Sequence, residues 1–255
     1  MQFVLTQAPS FAQITSTING VTVTLPDDTD IEVTLVTLPD GKQKIHLKLI
    51  SNTAITSVPN EGEIDLTTLP PGTRFHTWAK KETIQRWVDH HGPDQSEIDY
   101  LMKNGLGTAG GGFYTSLDPI DSIAFGDTAI FFQSDEPIKA VNGKVTSPVY
   151  LIDPLYKLIR LNSNLSNKLN QKLYQNGIAG TLYNDDWLVI YSAAALKHGH
   201  QATQSDLLQE LDSQKITLSN ITDLGFKIKF EPNFELQQKL PIVYKILSTL
   251  LPGAS

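Results

Sequence analysis

The sequence predicts an α+β protein in which a β-rich N-terminal module precedes a mixed sheet with flanking helices. Three observations support this prediction. Residues 15–68 are rich in Thr, Val, Ile and Leu and contain turn dipeptides, residues 69–72 read Leu-Pro-Pro-Gly, and the later chain mixes helical periodicity with short apolar runs. The prolines and glycine predict a boundary between an N-terminal module (1–70) and a core (71–200), with a helical and strand extension (201–255) packed on the core.

The N-terminal module is predicted from strand-like composition and turn signals. Residues 18–25 and 31–36 are rich in Val, Ile, Thr and Leu, as strands are. The run Leu-Pro-Asp-Gly-Lys at 38–42 predicts a hairpin turn, and residues 44–50 alternate with a period of two. Composition leaves open whether this module stands alone or joins the main sheet.

The elements after the boundary follow from local signals of strands and helices. Residues 73–78 form a short strand-like run, and residues 80–88 have a helical pattern that is closed by His-His-Gly at 90–92. A helix capped at Ser96 and ended by Gly105 is expected next, followed by a helix begun by Asp118-Pro119. A buried strand over 128–132, helical runs over 156–174 and a strand over 187–191 come after them. The last expected elements are a helix over 205–212, a strand near 227–230 and an amphipathic stretch over 234–251.

Composition excludes several classes of function. A formal net charge of −7 and a pI near 5.3 argue against a general nucleic-acid binder, because phosphate binding needs a positive field. The chain contains no cysteine, which excludes disulfides, thiolate metal sites and a cysteine nucleophile. Its N-terminal residues lack the features of a secretory signal, and no apolar window has the length of a membrane span. We therefore expect a cytoplasmic protein, or an effector secreted without a classical signal peptide.

Residues 110–127 are the most informative stretch of the chain. They read as a glycine-rich turn, a short strand with Tyr114, and a sharply started helix with Ser122 and Phe125. Ser122 and Phe125 are one helical turn apart and therefore share a face. Two aromatic walls with a hydroxyl at their base suit a flat, uncharged ring that bears an amide, such as nicotinamide. The alternative interpretation makes Tyr114 and Phe125 core residues and Ser122 a small filler.

The same stretch resembles the Gly-X-Gly-Ile-Tyr-Phe…Ser-X-X-Tyr signature of the ADP-ribosyltransferase superfamily, in its diphtheria-toxin-like and poly(ADP-ribose)-polymerase-like clade. The spacings from Tyr114 to Ser122 and from Ser122 to the second aromatic are the same, and Phe125 stands where the family usually has Tyr. The resemblance covers about residues 73–197. It implies a split β-sheet core and a His-Tyr-Glu triad on three separate strands.

The resemblance implies a histidine upstream and an acid downstream. His76 matches the first position, although Thr77 and Trp78 stand where the family has Gly and then Ser or Thr. Thr77 keeps the backbone groups that would bind a carboxamide. Asp186, which precedes an aromatic residue and a buried strand, matches the catalytic Glu, and Asp185 is the alternative. Asp is shorter than Glu by roughly 1.5 Å, and errors of about an ångström can lower a rate on the order of a hundredfold.

The resemblance also assigns roles to these residues. His76 would bind a ribose hydroxyl of the adenosine half of NAD, Tyr114 and Phe125 would enclose the nicotinamide, and Ser122 would bond its carboxamide. Asp186 would anchor the reacting ribose and stabilise its cation-like transition state. The expected catalytic residues are therefore His76, Tyr114 and Asp186.

We expect from this resemblance an NAD-dependent mono-ADP-ribosyltransferase, with NAD as substrate and a protein or other macromolecular target, as in bacterial effectors and toxins. Three alternatives remain: an NAD glycohydrolase, an RNA 2′-phosphotransferase, which the acidic balance disfavours, and a non-catalytic module that binds NAD or a target. We expect no metal, since no third ligand lies near His198 and His200 in sequence, and no membrane partner. The oligomeric state is left open.

Overall fold

The structure, a computed structural model, describes residues 13–18, 21–26, 28–52, 55, 58–105, 107, 109–117, 128–143, 153–183 and 187–201. It describes side chains from residue 23 onward. Four predicted regions lie outside these residues, namely those at 118–127, 205–212, 227–230 and 234–251, and so does nearly all of the predicted C-terminal extension.

The described residues form an α+β architecture around one large, mostly antiparallel sheet, as the predicted class requires. The strands are, in chain order, β1 (Gln13–Ile18), β2 (Val21–Pro26), β3 (Asp30–Thr37), β4 (Gln43–Ile50), β5 (Glu61–Leu69), β6 (Arg74–Ala79), β7 (Phe113–Ser116), β8 (Thr128–Gln133), β9 (Ile138–Asn142), β10 (Gly180–Tyr183), β11 (Trp187–Ile190) and β12 (Lys197–Gln201). Ten of these described strands form one sheet in the order β12-β8-β6-β7-β11-β10-β9-β5-β4-β3. Within it, β9 and β10 are parallel neighbours.

Four α-helices are described in addition to a single 3₁₀ turn at Ala193–Ala195. The helices are α1 (Lys81–Asp89), α2 (Gln95–Asn104), α3 (Pro154–Arg160) and α4 (Ser163–Gln175). They confirm the helical patterns predicted over 80–88 and 156–174. In the part of the chain that the structure describes, none of the helices combines the length and the hydropathy that crossing a bilayer requires.

Helix α2 starts before the cap that the sequence predicts. Its N-cap is Asp94, whose carboxylate accepts a hydrogen bond from the amide of Glu97 at 2.8 Å. Ser96 lies inside the helix and donates to the same carboxylate at 2.6 Å. The predicted cap at Ser96 is wrong because a charged acceptor two residues earlier reaches the free N–H groups and suits the helix dipole. The predicted helix end at Gly105 is confirmed.

The N-terminal strands are continuous with the main sheet, which settles the point that composition left open. β3 and β4 form the predicted hairpin, in which Gly41 has a φ of +82°. β5 pairs with β4 on one side and with β9 on the other, where Leu66 lies opposite Val141. β3, β4 and β5 therefore extend the sheet that contains β6 and β7, whereas β1 and β2 form a separate hairpin.

Helices cover both faces of the sheet. On one face, Trp87 of α1 packs edge-on against Phe113 of β7, with ring centroids 4.9 Å apart. On the other face, Arg160 of α3 donates to the hydroxyl of Thr181 of β10 at 3.2 Å. The register through β11 places Thr181 on the same face as Tyr114. The chain thus puts Tyr114 on the side of α3 and α4, because consecutive strand residues alternate between faces.

β6 and β7 pair at one position among the described residues, where His76 lies opposite Ser116. β6 pairs with β8 along its whole length, and β7 pairs with β11 along its whole length. The pairing between β6 and β7 does not continue toward Thr77 on one strand and Tyr114 on the other. The sheet is therefore joined weakly at the place where the predicted His and Tyr segments meet.

Candidate functional site

The three segments from which the sequence predicts triad residues lie side by side. β6, β7 and β11 are neighbours in that order in the sheet. Ser116 lies opposite His76 on one side and opposite Trp187 on the other, so that the three residues form one row. Neighbouring strands are about 4.8 Å apart, which places the backbones of His76 and Trp187 about 10 Å from each other. Asp186 directly precedes Trp187 in the chain.

His76 is buried, with 1% of its surface exposed. Its ring meets the ring of Phe131 on β8 edge to face, with centroids 5.4 Å apart and an interplanar angle of 83°. The guanidinium carbon of Arg74 lies 5.1 Å from the centroid of the same Phe131 ring, within the range of a cation–π contact. Thr77 follows His76 and so has its side chain on the other face, and its backbone pairs in register with Ile130 of β8.

Tyr114 is half-buried and shares a face with His76, because it lies two residues from Ser116 on the same strand. Its hydroxyl donates to the carbonyl of Gly110 at 2.8 Å and accepts from the amide of Ala109 at 3.0 Å. These bonds tie the glycine-rich turn to the strand that follows it. Burial raises the pKa of the Tyr114 phenol, which keeps the ring neutral at physiological pH.

Close packing explains Gly110 of the predicted turn and Gly107, which precedes the turn. A side chain at Gly107 would collide with the ring of Tyr114. Gly110 has a φ of +78°, and a Cβ there would lie 2.6 Å from the hydroxyl of Ser166 and 2.7 Å from the amide nitrogen of Asn170. The turn is therefore packed between the phenol and helix α4.

The structure describes three of the residues from which the sequence predicts a site. It brings His76 and Tyr114 to one face of adjacent strands, and it leaves the side chain of Thr77 on the opposite face. Four further predicted residues lie outside the described residues, namely Ser122, Phe125, Asp185 and Asp186. Their roles therefore stay predictions.

Sequence reasoning missed Ser116 and the polar residues behind the turn. Ser116 is fully buried beside His76. Arg160 and Asn170 are buried on α3 and α4, and both donate to the backbone of the turn. The sequence signal that points to Asn170 is its position on the helical stripe of α4 that contains the buried leucines. Arg160 has no comparable local signal, because its partners lie on other elements of the fold.

The histidines at the other end of the sheet have separate neighbours. His198 Nε2 lies 2.7 Å from the carboxylate of Asp135 on an exposed surface. His200 lies near Phe131, with ring centroids 5.9 Å apart. Among the residues that the structure describes, no group of three or more His, Asp or Glu side chains could hold a metal ion.

A buried imidazole, a small hydroxyl and a neutral phenol thus share one face of adjacent strands, at the position where strand pairing stops. The half-buried phenol can stack on a flat ring, whereas the imidazole, 1% exposed, is covered by its neighbours. Comparison with known proteins finds no match to a family model, to a curated protein or to a solved structure. The proposal of a function therefore rests on the sequence resemblance and on the geometry of this chain.

Proposed function

We propose that the protein is an NAD-dependent mono-ADP-ribosyltransferase with a split-sheet core of the ADP-ribosyltransferase kind. One observation carries the proposal, which is the row of His76, Ser116 and Trp187 across β6, β7 and β11. The sequence resemblance requires three segments that are far apart in the chain to meet at one site. The strands with the mapped His and Tyr are adjacent, and the strand that follows the mapped acid is next to them.

The end of the pairing between β6 and β7 supports the position of the nicotinamide. An amide-bearing ring bound there would stack on Tyr114 and meet the backbone of Thr77 on the opposite strand. Ser122 and Phe125 would complete this pocket, with the Ser122 hydroxyl bound to the carboxamide. His76 would bind a ribose hydroxyl in the adenosine half of NAD.

The proposed reaction breaks the bond between the nicotinamide nitrogen and C1′ of the ribose, and forms a bond between C1′ and a nucleophile of the target. Nicotinamide leaves as a neutral ring with the electron pair of the broken bond. Asp186 stabilises the positive charge that develops on the ribosyl group and accepts the proton of the nucleophile. We propose a protein as the target, in keeping with an effector or toxin.

A second candidate is a non-catalytic module that binds NAD or a target with the same fold. It is favoured by the burial of His76 and Trp78, which are 1% and 3% exposed. It is also favoured by Asp186, whose carboxylate reaches less far than that of Glu. An NAD glycohydrolase would use the same pocket with water as the acceptor.

Incubation of the protein with isotope-labelled NAD and a cell lysate tests the proposal through two products. A transferase releases nicotinamide and labels a protein, whereas a glycohydrolase releases nicotinamide without labelling any protein. A binding module gives neither product, although calorimetry detects NAD binding. Nicotinamide release without labelling would replace the transferase by the glycohydrolase, and NAD binding without products would replace it by the binding module. The absence of both turnover and NAD binding would overturn all three.

Variants then test the assigned residues. We expect Asp186→Ala to lower activity by about a hundredfold or more, since it removes the charge that stabilises the transition state. We expect His76→Ala to weaken NAD binding, with His46→Ala on β4 as the matched control. Loss of activity in Asp185→Ala, with full activity in Asp186→Ala, would assign the acid to Asp185.

A further inference from the structure

Three buried polar side chains on α3 and α4 hold the glycine-rich turn that precedes Tyr114. Asn170 Nδ2 donates to the carbonyls of Ala109 and Gly111 at 2.9 and 2.7 Å. Arg160 Nη1 donates to the carbonyl of Ala109 at 2.7 Å. Asn167 Oδ1 accepts from the amide of Gly111 at 2.6 Å. Arg160, Asn167 and Asn170 together form what we name the turn clamp.

Asn167 also connects the turn to the end of helix α2. Its Nδ2 donates to the carbonyl of Lys103 at 3.1 Å and to the carbonyl of Gly105 at 3.0 Å. These carbonyls belong to the last turn of α2 and its cap, where backbone acceptors lack partners within the helix. The turn clamp therefore holds the backbone on both sides of this segment, at Lys103 and Gly105 and again at Ala109 and Gly111.

Ala109 links the turn clamp to Tyr114. Its carbonyl accepts from Arg160 and from Asn170, and its amide donates to the Tyr114 hydroxyl. The phenol also donates to the next residue, Gly110. The position of the Tyr114 ring is thus coupled to the conformation of a turn that α3 and α4 hold from the other side.

The turn clamp buries a positive charge, which packing alone does not require. Arg160 is 9% exposed, and its guanidinium carbon lies 4.9 Å from the centroid of the Tyr156 ring. It donates hydrogen bonds to neutral oxygens on Ala109, Ser166, Asn170 and Thr181. An apolar side chain would fill this space without the unfavourable desolvation of a cation.

We propose that Arg160, Asn167 and Asn170 are positioning residues, which hold the glycine-rich turn in the conformation that keeps Tyr114 at the end of the β6–β7 pairing. They thereby set the affinity of the site for the nicotinamide ring. The statement about affinity rests on the proposed function, whereas the statement about the turn does not. None of the three acts on the ligand directly, because each works through the backbone of the turn.

Amide hydrogen exchange followed by NMR in the full chain tests the positioning. In Asn167→Ala, the amide of Gly111 loses its acceptor, whereas the amide of Ala109 keeps Tyr114 as its acceptor. Ala109 is therefore the informative amide, and we expect it to exchange at least about tenfold faster if the turn loses its fixed conformation. The amide of Leu47 in β4 reports on the rest of the sheet and should not change.

Two matched variants separate positioning from general stability. Ile45→Ala in β4 removes a fully buried side chain far from the turn and should lower the melting temperature without faster exchange at Ala109. Arg160→Met removes the charge, and Arg160→Lys should restore part of the slow exchange. Equal exchange at Ala109 in Asn167→Ala and in Ile45→Ala, at matched melting temperatures, would overturn the proposal. If Arg160→Met does not fold, the exchange rate of Ala109 in Asn167→Ala still decides whether the turn clamp holds the turn.

Calorimetry with NAD tests the link to affinity. We expect Asn167→Ala to weaken NAD binding about tenfold, while Ile45→Ala leaves it unchanged. Fast exchange at Ala109 with unchanged NAD affinity would refute the link and leave the proposed function standing. If the unmodified protein does not bind NAD, the proposed function fails, and the exchange experiment still decides whether the turn clamp positions Tyr114.

Discussion

Ser116 of β7 lies opposite His76 of β6 in the single register pair that joins these strands within the described chain. Both residues are buried, with exposures of 0% and 1%. Ser116 also lies opposite Trp187 on β11, and so it is the small residue in the middle of a row with two large rings. A larger side chain at this position must displace one of its neighbours, because protein interiors are close-packed.

Ser116→Leu is therefore expected to disturb the candidate site from within the sheet. We expect it to destabilise the fold by about 1–3 kcal/mol through overpacking, and to weaken NAD binding by displacing His76. Urea unfolding and calorimetry measure the two effects. Ser116→Ala adds no bulk at this position and should preserve NAD affinity. Unchanged NAD affinity in Ser116→Leu would place the ligand away from this row.

Tyr114→Phe removes the hydroxyl and keeps the aromatic ring, so that the contributions of the two can be measured separately. The variant leaves the amide of Ala109 and the carbonyl of Gly110 without their partner, which we expect to destabilise the fold by about 1–3 kcal/mol in urea unfolding. The ring remains for stacking, so that NAD affinity should fall less than in Tyr114→Ala. Tyr100→Phe is the control, since Tyr100 is 66% exposed and should tolerate the change. An equal loss of affinity in Tyr114→Phe and Tyr114→Ala would argue against stacking.

Gly107→Ala tests the close approach of the turn to the phenol. The new methyl group collides with the Tyr114 ring, and we expect a loss of about 1–3 kcal/mol in stability together with weaker NAD binding. Gly41→Ala is a matched control, because Gly41 has a positive φ of +82° and nothing within 4 Å of an added Cβ. It should lower stability through backbone strain alone, with NAD affinity retained. Reduced NAD affinity in both Gly107→Ala and Gly41→Ala would show that lower global stability, and not the collision with Tyr114, weakens NAD binding.

We expect the protein to lose stability at high pH, where the buried phenol of Tyr191 ionises. Burial raises the pKa of Tyr191 to about 12. Because the pKa is higher in the folded state than in the unfolded state, the stabilisation is complete below about pH 10 and is lost as the pH rises to about 12. We expect a loss of about 3 kcal/mol from this group, measured by urea unfolding across that range. Tyr191→Phe should flatten the pH dependence and Tyr100→Phe should not; equal slopes in both would contradict the assignment.

Substitutions at Asp94 test whether this residue is the N-cap of helix α2. Asp94→Ala removes the acceptor for the amide of Glu97, and we expect the melting temperature to fall by about 2–4 °C. Asp94→Asn keeps a capping oxygen and should recover most of the loss. Ser96→Ala is expected to have the smaller effect, since Ser96 is not the cap. A larger fall in melting temperature for Ser96→Ala than for Asp94→Ala would show that Ser96 is the N-cap, as the sequence predicts.

The elements that sequence reasoning predicted correctly depend on neighbours within a few residues. The Leu-Pro-Asp-Gly-Lys run encodes the β3–β4 turn, and the period of two over 44–50 encodes a half-buried strand. The cap of α2 was misassigned because Asp94 and Ser96 both suit an N-cap, and sequence alone does not show which oxygen faces the free amides. Arg160 was missed because its partners lie on other elements.

The sequence by itself determined the α+β class, the local elements of the core, and His76 and Tyr114 as candidates for a site. Only the tertiary structure decided that β6, β7 and β11 are neighbours, that β3, β4 and β5 extend the same sheet, and that Arg160 reaches the turn before Tyr114. The physical reason is that a periodic pattern specifies which face of a strand or helix is buried. The order of strands and the partners of a buried charge depend instead on contacts between residues far apart in the chain.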